Sequence, residues 1–153
     1  MRRKLIHGTI AVVVGTACAL PAYAQVKPDV LVKQRQSAMV LQGKYFYGHL
    51  RPTAQGKMPY DASSIARDVG YLDALSKMPW DGFTPATKDV KSAALPAVFS
   101  DTAKFKEAQD RFTGEVAKLV EITHKGDEAA IKQQILAVDK ACGGCHENFR
   151  ERQ

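Results

Sequence analysis

The chain has 153 residues, enough for one domain and little more. Lys and Arg number 22 against 16 Asp and Glu, a formal net charge of +6. The charges are spread along the chain with no dense basic run, which argues against a nucleic-acid-binding protein.

The N-terminus reads as a targeting segment. Met1-Arg2-Arg3-Lys4 is a positive start, Ile10 to Leu20 is an uncharged apolar run, and Ala22-Tyr23-Ala24 is a small-x-small cleavage pattern. The run is too short to span a bilayer comfortably, and no other segment comes close. Residues 1–24 are therefore read as a cleaved signal peptide, leaving a soluble domain over 25–153. A lipoprotein anchor at Cys18 is the rival reading, but Gly15 stands where such a signal wants leucine; an uncleaved signal anchor is the other. Without the signal, 19 basic residues face 16 acidic ones.

Four segments have helical periodicity, and none shows sustained strand alternation. The first is expected from Pro28 to about Leu50, with Pro28 and Asp29 suited to its first turn and Pro52 as its stop. Val32, Arg35, Met39, Gln42 and Phe46 step by three and four along one face. The second starts with Asp61 as N-cap and ends before Pro79, with Ile65, Val69, Leu72 and Leu75 or Ser76 inward. The third begins near Ser100 or Asp101, carries Phe105, Phe112, Val116 and Leu119 inward, and ends at Lys125-Gly126 with a left-handed glycine. The fourth opens at Asp127 and runs close to the C-terminus, with Ile131, Ile135, Val138, Cys142 and Phe149 inward.

Helices of this length, each about 30 Å long, imply an all-α fold, an antiparallel four-helix bundle. The connection from about Trp80 to Phe99 is long, and such loops are uncommon unless they cover something. A haem edge is one candidate; Trp80 and Phe83 simply capping the core is the plainer alternative.

Cysteine usage carries the chemistry. With Cys18 lost in the signal, only Cys142 and Cys145 are left, too close together for a useful staple. In Cys142-Gly-Gly-Cys145-His146, positions i, i+3 and i+4 share one helical face, so two thiols and an imidazole point at one ligand. This is the attachment pattern of haem c, with thioethers at Cys142 and Cys145 and His146 as the metal ligand. A redox dithiol would want a preceding strand, and zinc a further ligand pair; His49 and His124 are the other mature histidines and neither is paired. Only seven residues follow His146, so any second axial ligand must come from an upstream helix.

The sequence resembles the cytochrome c-prime family, the class II c-type cytochromes, over essentially the whole mature chain. The resemblance rests on Arg35-Gln36-Ser37-Ala38-Met39, Gly56-Lys57-Met58-Pro59-Tyr60-Asp61, Leu75-Ser76-Lys77-Met78-Pro79-Trp80 and the C-terminal haem motif with Phe149-Arg150. It implies a periplasmic four-helix bundle with one haem c, often a homodimer through its first two helices. It further implies Met39 on the distal side of the iron and Arg35 beside a haem propionate, with Gln36 a second propionate candidate.

Two functions follow from that resemblance. In one, Met39 is an apolar plug over five-coordinate iron that binds nitric oxide or carbon monoxide and carries one electron. In the other, the Met39 sulfur binds the iron, giving a six-coordinate His146/Met39 electron carrier. Arg150, one turn past His146, would approach the proximal face or else fray at the helix end. No second titratable cluster suggests an enzyme. Met58 and Met78 read as packing residues, His49 and His124 as surface or structural ones. Redox partner proteins are implied, but charges of both signs dispersed along the chain mark no surface for them.

Overall fold

The computed structural model describes residues 26–152; the signal peptide expected over 1–24 and the Cys18 alternative lie outside them. Helix α1 spans Pro28–Tyr45, with Pro28 in its first turn and Asp29 at the positive end of its dipole. It does not stop at Pro52. The backbone widens into a π turn over Phe46–Leu50, with the Arg51 N–H reaching the Phe46 carbonyl, and resumes α geometry over Arg51–Ala54. Proline lacks an N–H and crowds the preceding turn; the wider ladder just upstream absorbs that defect. The stop comes at Gly56, at φ 71°, where Gly56 N–H donates to Thr53 O and Lys57 N–H to Pro52 O in a Schellman pattern.

Helix α2, Ala62–Ser76, is capped by the Asp61 carboxylate accepting from the Ser64 N–H at 2.8 Å. Leu75 and Ser76 are both buried, beside Ile65, Val69 and Leu72. Helix α3, Thr102–Lys125, is capped by Asp101 and ends at Gly126 with φ 76°. Helix α4, Glu128–Phe149, is capped by Asp127, whose carboxylate accepts from the Ala129 and Ala130 N–H groups. The expected caps and the left-handed glycine are all in place.

Each helix packs on the next, and the extension of α1 returns against α4, closing an all-α four-helix bundle without strands among the described residues. Phe46, Leu50, Ile65, Leu72, Val116, Leu119, Ile131, Ile135 and Val138 form its core. Each such side chain contributes about 2 kcal/mol of burial free energy. Four residues on the faces expected inward are not fully buried in the core and line a cavity: Met39, Gln42, Phe105 and Cys142. On α1 the buried face is instead completed by Ala38. The long connection holds short helical turns at Trp80–Gly82, Pro85–Thr87 and Ala97–Ser100.

Candidate haem site

A cavity of about 750 Å³ opens between α1, the 80–99 loop, α3 and the last turns of α4. That is within the size range of small-molecule and cofactor pockets. Arg35, Gln36 and Met39 line it from α1, and Cys142, Cys145 and His146 from α4, so all six residues singled out from the sequence meet in one space. The helical spacing is what places the two thiols and the imidazole together.

Burial keeps the three side chains of the motif uncharged. Burial pushes the Cys142 thiol up to about 12, helped by the Asp139 and Cys145 charges, and burial also raises Cys145. No disulfide joins the two cysteines. Burial, with Arg150 second, lowers the His146 pKa, which favours a neutral imidazole with a lone pair to give a metal. Among the described residues no three His, Cys, Asp or Glu side chains are arranged to hold a metal ion by themselves.

Arg35 supplies the fit test for an anionic cofactor. It is 3 % exposed, and its Nη1 donates to Gly82 O and to Thr87 Oγ1 at 3.2 Å. Its Nη2 donates to Ser92 Oγ at 2.9 Å, and the guanidinium lies 4.3 Å over the Phe83 ring. These are neutral acceptors. No carboxylate among the described residues forms an ion pair with Arg35. A buried cation at a cavity wall without a protein anion is costly unless the occupant carries negative charge. Haem propionates meet that requirement.

The loop covers the cavity and also closes the core. Trp80 lines the cavity, packs on the buried cluster and donates through Nε1 to Ser76 O at 2.7 Å. Its ring meets Phe83, Phe105 and Phe112, and Phe105 stands edge-on to Phe149 at 5.2 Å. Trp80 therefore caps the core while lining the cavity, and Phe83 lines the cavity beside it. Beyond them, Ala94 forms an antiparallel bridge with Arg150. Arg150 is thus held at the end of α4 rather than frayed, and it lines the cavity near His146.

Several residues fall outside the sequence reading. Tyr47 lines the cavity and contacts Cys142; its pKa is pushed up to about 12, first by burial and then by the Cys142 charge. Its place eight residues after Met39 on the same helix was the available signal. Gly82, Thr87 and Ser92 had none. His49 lies off the cavity, its Nδ1 2.7 Å from Asp68 Oδ2, and His124 is exposed. Met58 and Met78, expected to pack, are 38 % and 58 % exposed, because each sits at a helix border turned to solvent.

Comparison with known proteins agrees with this geometry. The family model described as Cytochrome C' matches residues 30–150. A cytochrome c' of Rubrivivax gelatinosus is 41 % identical over 127 residues, covering 82 % of this chain and 98 % of that protein. The nitric oxide complex of a mutant cytochrome c prime from Alcaligenes xylosoxidans superposes with a TM-score of 0.77 at 35 % identity, covering 84 % of this chain and 99 % of that one. A carbon-monoxide-bound variant of the same protein gives 0.76 at 35 %, covering 83 % and 98 %. With the motif, the cavity and the match over nearly all of the described residues in agreement, this chain belongs to the cytochrome c-prime family and carries covalently bound haem c.

Proposed function

We propose that the protein is a periplasmic mono-haem cytochrome with five-coordinate, high-spin iron on His146, which exchanges one electron and binds nitric oxide and carbon monoxide. It acts as an electron-transfer and gas-binding protein, not an enzyme. The observation that carries this reading is the apolar make-up of the α1 wall. Met39, Val40, Gly43 and Phe46 line it, Gln36 is assigned to the propionates, and the other polar groups nearby are engaged elsewhere. The Gln42 amide donates to Leu75 O at 2.8 Å, Arg35 holds the loop, and Tyr47 contacts Cys142. Such a wall offers the iron no nitrogen or oxygen ligand. It admits neutral diatomics and opposes anions, which lose hydration there.

When bound, the haem supplies an iron that changes by one electron and takes a diatomic ligand. The chain's residues hold and shield it. Cys142 and Cys145 would hold the ring through thioethers, and His146 would give the iron its imidazole nitrogen. Arg35 and Gln36 meet the propionates, Arg35 by charge-assisted hydrogen bonds. Met39 excludes water from the distal face. The solved complexes of the Alcaligenes xylosoxidans relative with nitric oxide and carbon monoxide support the gas-binding part. Export through residues 1–24 supports a periplasmic location. A homodimer through α1 and α2 is supported by exposed Leu41 and Tyr71 and by the Tyr45–Tyr71 ring pair on their outer surface.

A second reading, His146/Met39 ligation in a six-coordinate electron carrier, is favoured by one fact: among the described residues Met39 is the only methionine in the cavity wall. The absorption spectrum of the holoprotein with and without carbon monoxide separates the two. A high-spin spectrum that shifts on adding carbon monoxide, and is retained in Met39→Leu, is expected. A low-spin spectrum lost in Met39→Leu would put the sulfur on the iron.

A further inference from the structure

Helix α1 is not charged like the rest of the molecule. Residues 30–60 contain five basic side chains and no acidic one, whereas the rest of the 25–153 domain holds 14 basic and 16 acidic residues. The net positive charge of the domain therefore resides on this one stretch, contrary to the chain-wide dispersal expected from the sequence. Of the five, Arg35 is buried under the loop and Arg51 pairs with Asp139 at 2.7 Å. Lys57 lies past the end of α1. Lys33 and Lys44 are exposed and meet no carboxylate among the described residues. On α3 and α4, Lys104, Lys106, Lys118 and Lys132 each have an acidic neighbour within one turn, while Lys125 and Lys140 form no ion pair among the described residues.

By helical phase the two lysines lie next to Val40, at the edge of the cavity-lining face of α1. Lys33, Val40 and Lys44 are separated by seven and four residues and so share one strip of the helix. Val40 and Tyr47, two turns apart, line the cavity. An apolar side chain at the edge of the haem cavity, set between two lysines that pair with no carboxylate among the described residues, has the make-up of a small docking patch. Its centre can be desolvated and its charged rim selects the partner.

We propose that this side of α1, centred on Val40 and flanked by Lys33 and Lys44, docks an acidic redox protein that exchanges electrons with the haem. The proposal rests on the electron-transfer part of the reading above. A partner whose carboxylates meet Lys33 and Lys44 is steered onto the cavity mouth, and a basic partner is repelled. In the transfer, one electron leaves the reduced centre of the partner and the ferric iron becomes ferrous. No bond or proton moves.

The test uses the ¹⁵N-labelled holoprotein and, as probe, an acidic plant-type [2Fe–2S] ferredoxin. Amide shifts map the docking, and stopped-flow reduction by the reduced ferredoxin reports the transfer. Shift changes are expected to concentrate between Lys33 and Tyr47. In the Lys33→Glu/Lys44→Glu double variant the second-order rate should fall roughly tenfold at low ionic strength. In Lys125→Glu, at the far end of the bundle, it should change less than about twofold, and the gap should close in about 0.5 M salt. An equal fall in Lys125→Glu, an unchanged rate in the double variant, or shift changes centred elsewhere would overturn the proposal. If shifts gather on α1 while ferredoxin and dithionite both leave the iron ferric, the docking stands and the electron-transfer reading of the haem falls.

Discussion

Arg35 and Ser92 stand 57 residues apart, and the Arg35 Nη2 donates to Ser92 Oγ at 2.9 Å. Three residues further on, the Leu95 N–H donates to Phe149 O at 3.0 Å, and the Glu151 N–H returns a bond to Ala93 O at 2.9 Å. The segment 92–95 is thus a strap between the distal helix and the end of the helix that carries His146. A loop this long is ordered because both its neighbours hold it, one through a guanidinium and the other through backbone groups.

Replacing Arg35 tests the first attachment. Arg35→Ala leaves Gly82 O without its cation and opens space under Phe83, at a cost of about 3 kcal/mol. Arg35→Lys keeps the charge but not the forked donors, and should recover less than half of that. Denaturant unfolding measures the loss, and amide exchange should quicken across residues 82–95. Exchange unchanged in that segment would show that the strap is held without Arg35.

Gly82 is required for close approach rather than for backbone freedom. A Cβ there would lie 2.8 Å from Arg35 Cβ and 2.9 Å from the Leu31 carbonyl oxygen. Gly82→Ala must push the loop away from α1, costing about 1–3 kcal/mol as in other overpacked sites. Thermal unfolding should show the fall in midpoint; a midpoint equal to wild type would mean that the loop yields freely.

Trp80→Phe keeps most of the aromatic contact and removes one hydrogen bond. The Ser76 carbonyl then loses a 2.7 Å donor in a half-buried setting, worth about 1–2 kcal/mol. The edge-on contacts with Phe105 and Phe112 should survive, so the visible spectrum of the haem is expected to stay as it was. A changed spectrum would assign Trp80 a direct part in setting the haem environment.

The helix caps make an acid limb of stability. Hydrogen bonding to Ser64 holds the Asp61 carboxyl below its ordinary value of 3.8, and hydrogen bonding to Lys104 does the same for Asp101. A depressed folded-state pKa contributes stability that is complete above the unfolded value and is lost as pH falls through the folded one. Both contributions should therefore be intact above about pH 4 and fade below it. Asp61→Asn keeps a capping oxygen without the titration, so its unfolding curve should depend less steeply on pH in the acid range. An unaltered slope would place the acid sensitivity at other carboxylates.

The caps at Asp61, Asp101 and Asp127, the left-handed Gly126 and the shared face of Cys142, Cys145 and His146 were all legible along the chain. Each depends on residues within about one helical turn, which sequence order already places together. The meeting of Arg35, Gln36 and Met39 with the haem motif was legible only through the family resemblance. Other features depended on distant neighbours. Pro52 did not stop α1, because a π turn upstream took up the defect where α1 runs on to pack against α4. The partners of Arg35 lie 47 to 57 residues away, so no local pattern announced them. The sequence by itself determined four amphipathic helices and a covalent attachment face, because both are periodic and short-range. Only the tertiary structure decided which charges are buried, paired or left open at the cavity mouth, because burial and pairing are set by what the other helices bring alongside.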